Sequence, residues 1–204
     1  MYVPAHFAAA DGAVRDLLAH PGLTDLVTAT ADGLVATPLP MLHDPGRRAL
    51  LGHVARANDQ WRRPALGEAL VIVRRSDSYV SPSWYASTAE HGRVVPTWNY
   101  ETAHVYGRLT VHEDQDWLAD LVRRLTERHE TGRPAPWSVD DAPPEFIAGQ
   151  LRAIVGVEIT ISRVEAKLKL SQNRPAADVA GVIDGLRADG DEEGAAAVER
   201  ARRR

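Results

Sequence analysis

Cysteine is absent from the 204 residues. That removes disulfides, thiolate metal sites and cysteine nucleophiles, and it fits a reducing compartment. No run approaches the ~20 apolar residues needed to cross a bilayer. The opening Met1-Tyr2-Val3-Pro4-Ala5-His6-Phe7 has neither the basic start nor the long apolar core of a signal peptide. A cytoplasmic protein with no membrane association is therefore expected. A basic excess is missing too: Lys+Arg number 24 against 28 Asp+Glu, for a net charge of −4. Nucleic-acid binders usually carry a basic surplus or stripe. Here Arg200, Arg202, Arg203 and Arg204 follow an acidic patch at 189–193 and read as a solvated helix end. Several motifs are lacking as well. There is no Gly-x-Gly-x-x-Gly fingerprint, no phosphate-binding P-loop and no Gly-x-Ser-x-Gly elbow. His129-Glu130 has no second His at zinc-protease spacing. No metal site is expected.

What is present reads as short strands with helices set among and after them. Asp11 can cap a helix with Val14, Leu17 and Leu18 inward, ended by Pro21-Gly22. Strands are expected over 23–30 and 34–41, joined by the hairpin signal Ala31-Asp32-Gly33, then over 49–54 after the turn Asp44-Pro45-Gly46. A short helix is expected over 55–61, and a strand over 68–74, whose consecutive Ala69 to Val73 suggest burial on both faces. Residues 77–85 read as a short strand or turn, 90–93 as a loop, and 94–111 as one or two strands with Gly107 at a bulge or close approach. Asp114 caps a helix striped by Trp117, Leu118, Leu121, Val122 and Leu125. A shorter helix over 144–154 should turn Phe146, Ile147 and Leu151 inward. Residues 155–170 return to β, Pro175 opens a further helix, and 192–203 form an alanine-rich segment expected to be exposed or docked on a partner. Six or more antiparallel strands with helical insertions favour a mainly β protein, a barrel with α decoration. The expected division is a barrel domain over 1–172 and a C-terminal helical extension over 173–204.

Four stretches concentrate polar and aromatic residues. Val94 to Tyr100 (Val-Val-Pro-Thr-Trp-Asn-Tyr) places Trp98 and Tyr100 on what Pro96 marks as an edge, suited to a flat ligand or a partner subunit. In Gly52-His53-Val54-Ala55-Arg56-Ala57-Asn58, strand alternation puts His53 and Ala55 on one face. Arg56 and Asn58 then fall at the strand's end. Arg matches phosphate bidentately, although from spacing alone an ion pair of Arg56 with a carboxylate and a half-buried His53 with its hydrogen bonds satisfied are the commoner outcome. Tyr79 to Tyr85 (Tyr-Val-Ser-Pro-Ser-Trp-Tyr) reads as a turn whose aromatics cap the core. Lys167 to Asn173 (Lys-Leu-Lys-Leu-Ser-Gln-Asn) reads as a half-exposed strand ending in polar groups.

Together these stretches, with Met1-Tyr2-Val3-Pro4-x-His6-Phe7, Ala36-Thr37-x-Leu39-Pro40 and the continuation Asn58-x-Gln60-Trp61, resemble the PaiB family of FMN-binding negative transcriptional regulators. The resemblance runs nearly the full length. It implies an antiparallel Greek-key split β-barrel of the flavin-reductase and pyridoxamine-phosphate-oxidase type, and a homodimer with FMN at the subunit interface. It further implies that Thr37, Leu39, His53, Val54, Ala55, Arg56 and Asn58 lie on the phosphate and ribityl side, with Arg56 as the main phosphate cation. Lys169, Ser171 and Gln172 would approach from the other end, and Trp98 would flank the flavin ring or the dimer seam. DNA binding is implied by the resemblance alone. An FMN-dependent oxidoreductase using NAD(P)H or a reduced flavin is the alternative, and haem ligation by His53 or His104 is a third possibility. The chain departs from the family where Pro-Ser-Lys usually follows Ser-Trp-Tyr: Ala86-Ser87-Thr88 stands there.

Overall fold

A computed structural model describes residues 1–203. Six strands form a closed barrel: β1 (Leu23–Thr30), β2 (Gly33–Asp44), β3 (Ala49–Ala55), β4 (Ala69–Val80), β5 (Thr97–His112) and β6 (Ile154–Lys169). Their order around the barrel is β1-β2-β3-β6-β5-β4. The first three form the meander expected from the turn residues, with Thr30 opposite Gly33 across the first hairpin. β3 then pairs antiparallel with β6, Leu50 facing Ile159, and β1 pairs with β4, Leu26 facing Val71. Six helices accompany the strands: α1 (Asp11–Ala19), α2 (Ala86–His91), α3 (Gln115–Glu130), α4 (Pro144–Arg152), α5 (Ala176–Ala188) and α6 (Glu192–Arg202).

The chain divides into two compact units. One holds Leu18–Val73 and His104–Val164; the other holds Met1–Leu17, Arg74–Ala103 and the chain from Glu165 onward. The first unit contains β1 to β3 whole. Strand alternation divides β3 between two faces. Ala49 and Leu51 pack with Leu42 of β2 against Leu121 and Leu125 of α3. The helix starts where Asp114 accepts a bond from the Trp117 backbone amide at 2.8 Å. Two glycines are set by close approach. A Cβ on Gly107 would strike the Thr160 carbonyl, and one on Gly156 would enter the Trp117 ring. Trp117 also stacks on His112, centroids 4.1 Å apart and planes 8° from parallel.

The second unit has its own core. Val80, Tyr85, Leu168 and Leu170 pack against Val179, Val182, Ile183 and Leu186 of α5 and against Ala195, Ala197 and Val198 of α6. The Ser-Pro-Ser-Trp-Tyr stretch is a single 3-10 turn, Pro82–Trp84, ahead of α2. Its Trp84 lies in a groove cut by two glycines of α5. A Cβ on Gly181 would strike the Trp84 carbonyl and one on Gly185 would strike its ring. Asp178, 1% exposed, accepts bonds from the Ser87 amide and hydroxyl at 2.9 Å and so fixes the start of α2.

Several expectations are corrected. Residues 94–111 give one long strand beginning at Thr97, and the segment 77–85 is the end of β4 followed by the 3-10 turn, because Pro82 cannot continue the strand ladder. The helix expected over 55–61 shrinks to a 3-10 turn, Asp59–Arg62, capped by Asn58. The loop expected over 90–93 is partly helix, since α2 runs to His91. Phe146 points outward, 57% exposed, rather than into a core. The C-terminal segment is not an exposed tail: Ala195, Ala197 and Val198 are 0% exposed within its own unit.

The Trp84 groove yields a prediction. Gly185→Ala should destabilise the protein by about 1–3 kcal/mol, since the added methyl must displace a packed indole. A chemical-denaturation midpoint equal to that of the wild type would contradict the packing.

Candidate functional site

The expected site residues fall into two clusters, one in each unit. In the barrel unit, Thr37 and Asn58 are brought into direct contact: the Asn58 amide donates to Thr37 Oγ1 at 2.9 Å. Thr37 in turn donates to Gln60 Oε1 at 2.5 Å. Gln60 is 1% exposed, and its Nε2 reaches the Leu26 and Val35 carbonyls at 3.2 Å each and Thr28 Oγ1 at 3.0 Å. Asn58 closes the loop by accepting from the Gln60 backbone amide at 3.0 Å. A buried amide carries two donors and an acceptor that must all be met. Gln60 meets them by joining β1, β2 and the turn after β3.

Arg56 is also engaged. Its Nε donates to the Arg152 carbonyl at 2.8 Å, Nη2 to the Ile154 carbonyl at 3.1 Å, and Nη1 to Glu113 Oε2 at 2.5 Å. Its backbone amide donates to the Ala153 carbonyl at 2.8 Å. These carbonyls lie at and beyond the C-terminus of α4, where a cation is favoured by the helix dipole. Trp61 donates to the Arg56 carbonyl at 3.2 Å, and its ring lies beneath the Arg62 guanidinium at 4.6 Å. Leu39 and Val54 are 3% and 5% exposed, so backbone rather than side chain is what they offer a ligand. His53 shares a β3 face with Leu51 and exposed Ala55. Its Nδ1 is buried with no hydrogen-bond partner among the described residues, and burial holds its pKa below the ordinary 6.5.

In the other unit, Lys169 and Trp98 are brought together. Lys169 Nζ donates to the Trp98 carbonyl at 2.8 Å and to Thr97 Oγ1, and it lies 5.9 Å from the centre of the Tyr100 ring. Burial is the main cause that lowers its pKa; the charges of Lys167 and Arg174 add to it and Tyr100 opposes it. Trp98 is 53% exposed and meets Tyr79 edge-on at 6.0 Å. Ser171 adopts a left-handed φ of 64°, unusual for a residue with a side chain. Its hydroxyl is held by buried Asn99 through bonds of 3.1 and 3.2 Å. Gln172 spends its amide on its own backbone: Oε1 accepts from the Leu170 amide at 2.7 Å and Nε2 donates to the Leu168 carbonyl at 2.6 Å.

The first cluster therefore offers the spare N–H groups of Arg56 and Asn58 just past the end of β3, with the Thr37 hydroxyl already given to Gln60. The second offers an exposed indole beside a phenol and a lysine. Gln60, Asn99 and Glu113 were not singled out by sequence reasoning. Gln60 and Asn99 sat inside the quoted motifs, but a buried hub carries no spacing signal. Glu113 is paired through tertiary folding alone.

The family described as "Putative FMN-binding domain" matches residues 1–163. The "Protease synthase and sporulation protein PAI 2" of Bacillus subtilis is 32% identical over 190 residues, covering 91% of this chain and 89% of that protein. The chain belongs to the PaiB family. FMN is the cofactor of this family of split-barrel flavoproteins. An uncharacterized protein of Aspergillus fumigatus is 33% identical, with 84% of this chain and 71% of that protein covered. Solved structures share the fold at low identity. The flavocytochrome Anf3 of Azotobacter vinelandii has a TM-score of 0.59 at 14% identity, covering 82% of this chain and 72% of that one. An FAD and heme binding protein of Mycobacterium smegmatis has a TM-score of 0.58 at 18% identity, covering 84% and 77%. The family match ends at residue 163, so Lys169, Ser171 and Gln172 lie beyond it.

Two predictions follow from the barrel cluster. Gln60→Ala should cost about 3 kcal/mol, because it orphans several buried groups at once; a loss under about 1 kcal/mol in a denaturant titration contradicts the hub. His53 is held neutral, so the unfolded chain binds its proton more readily. Stability should be full above the ordinary pKa and fall as pH drops from about 6.5 through the depressed value. The wild type should therefore lose more of its denaturation midpoint between pH 7 and pH 5 than His53→Gln does. Equal losses would assign the pH dependence elsewhere.

Proposed function

We propose that this protein is a homodimeric FMN-binding regulator of the PaiB type that acts in the cytoplasm. The phosphate end of the cofactor is assigned to the β3-end cluster. Three observations support the fit there. Arg56 and Asn58, two residues apart past the end of β3, each keep an N–H beyond those already bonded, and N–H donors are what phosphate oxygens require. Arg56 has five N–H donors, and its bonds to Arg152, Glu113 and Ile154 use three of them. The orphaned His53 Nδ1 is a further polar atom in the same strand. Thr37, His53 and Asn58 would take the phosphate and ribityl side with backbone help from Leu39, Val54 and Ala55. In the homodimer, the flavin-ring side is assigned to Trp98, Lys169, Ser171 and Gln172 as they stand in the second protomer. There the exposed Trp98 ring offers a flat apolar face, and the left-handed Ser171 sets the direction of the strand end. When bound, FMN supplies electron or hydride transfer; the protein's part is to hold, orient and tune it.

The single observation that carries this reading is the Thr37–Asn58–Gln60 network, two residues on in the chain from Arg56: a polar segment held rigid by a buried amide. The regulatory role rests on the match to the Bacillus subtilis protein over 91% of the chain, whose name ties it to protease synthesis and sporulation. The homodimer is supported by the exposed Trp98 and Tyr79, large aromatic surface of the kind interfaces cover. An FMN-dependent oxidoreductase is the second reading, favoured by Lys169, which lies near Tyr100 and which burial inclines to give up its proton more readily than an ordinary lysine.

Arg56→Ala should weaken FMN binding by about tenfold or more through loss of a charge-assisted phosphate contact, read by quenching of flavin fluorescence. Because Arg56 also holds the end of α4, the titration is made at a temperature where circular dichroism shows the variant folded. Unchanged affinity in the folded variant removes Arg56 from the phosphate site. A gel shift with promoter DNA at stated salt checks the regulator, and anaerobic mixing with NADH or NADPH checks the reductase. Sedimentation equilibrium checks the dimer.

A further inference from the structure

The unit formed by the N-terminal segment, Arg74–Ala103 and the C-terminal helices contains a cavity of about 270 Å³ that shares only Gln172 with the flavin assignment. Its floor is apolar, with Leu168 and Leu170 at the end of β6, and exposed Ala10 stands at its rim. Its polar lining is Glu101, Arg200 and His6. Gln172 also touches it, but its amide is already bonded to the backbone of Leu168 and Leu170.

The hydrogen-bond inventory decides what the cavity suits. Glu101 is 5% exposed. Its Oε2 accepts from Ser76 Oγ at 2.9 Å and from Arg200 Nη2 at 3.1 Å. Its Oε1 faces Arg75 Nη1 at 3.9 Å, and Arg75 is itself anchored on Asp16 at 2.8 Å. The carboxylate is thus well supplied with positive partners. Arg200 is not. It has five N–H donors, and among the described residues it makes one hydrogen bond, to Glu101. The ring nitrogens of His6 have no hydrogen bond among the described residues either; the ring meets Phe7 edge-on. A neutral imidazole offers one donor and one acceptor, so the charged donors to spare at this cavity are the N–H groups of Arg200, whose side chain is 42% exposed. A ligand that matches them must bring acceptors, and a planar carboxylate fits the guanidinium fork.

We infer that this cavity binds a small organic carboxylate with an apolar body, its carboxylate on Arg200 and its body over Leu168 and Leu170. Arg200 comes from α6, well beyond residues 1–163 matched by the family, so the site depends on the C-terminal helix. The ligand would also tie α6 to the N-terminal segment through Arg200 and His6. That gives the chain a means of sensing a metabolite in addition to its flavin.

The test uses the full chain, both loaded with FMN and flavin-free. Benzoate is the probe, with benzylamine and benzyl alcohol as controls of the same shape, and binding is read by calorimetry. Benzoate should bind both forms, and each control at least about tenfold more weakly, since neither presents an anion to the guanidinium. Arg200→Gln should reduce benzoate affinity by about tenfold. Ala10→Phe, a substitution at an exposed rim position that leaves every charge in place, should block binding while leaving FMN affinity unchanged. No benzoate binding to either form overturns the inference. So does benzylamine binding as well as benzoate, which would make Glu101 the recognition group. Loss of benzoate binding on FMN loading would place the cavity within the flavin site and overturn it too. Unaltered benzoate affinity in both variants has the same effect.

Discussion

A single buried amide constrains the barrel end on which the functional reading rests. Gln60 is almost wholly removed from water, and leaving any of its polar atoms unpaired would cost about 1–3 kcal/mol. Its partners come from β1, from β2 and from the turn after β3, so those three elements have one mutual arrangement that satisfies it. Thr37 and Asn58 are fixed as a consequence. Arg56, two residues before Asn58, is fixed separately by the carbonyls that close α4. The donors assigned to phosphate are therefore already ordered, and ligand binding need not supply that ordering free energy.

The other unit reaches order differently. Ser171 sits in a left-handed conformation that few residues with a side chain adopt. Strain of that kind persists only where the surroundings over-determine it, and here Asn99 grips the hydroxyl while Gln172 stitches the adjacent backbone. Below it, α5 and α6 form a core with Val80, Tyr85, Leu168 and Leu170. The Trp84 indole is locked against Gly181 and Gly185. The Ser-Trp-Tyr stretch thus serves packing, and buried Ser87 binds Asp178 at the place where the family more often carries lysine one residue later.

Much of this was legible in the chain. The meander of β1 to β3 followed from Asp32-Gly33 and Pro45-Gly46, because turn chemistry is local. The stripe of α3 and its Asp114 cap were equally local. The family resemblance, carried by four motifs in order, fixed barrel and cofactor together. What escaped was non-local. α6 read as a weak helix because alanines give little periodic signal, yet Ala195 and Ala197 are buried for the very reason that they are small enough to pack closely. Arg56 was read as a phosphate cation without its three protein acceptors, since Glu113 and Arg152 are distant in sequence. The expected ion pair for Arg56 is present; His53 is half-buried as expected, but its Nδ1 has no partner among the described residues, so it is not the satisfied histidine that was expected.

The central claim is that the β3-end cluster grips the anionic tail of the flavin rather than its ring alone. Equilibrium binding of FMN and of riboflavin to the same preparation isolates that contact, because the two ligands differ only by the phosphate. The account predicts that FMN binds more tightly by about tenfold or more, with the advantage shrinking as salt rises. Equal affinity for the two flavins, at low salt and high, would contradict it.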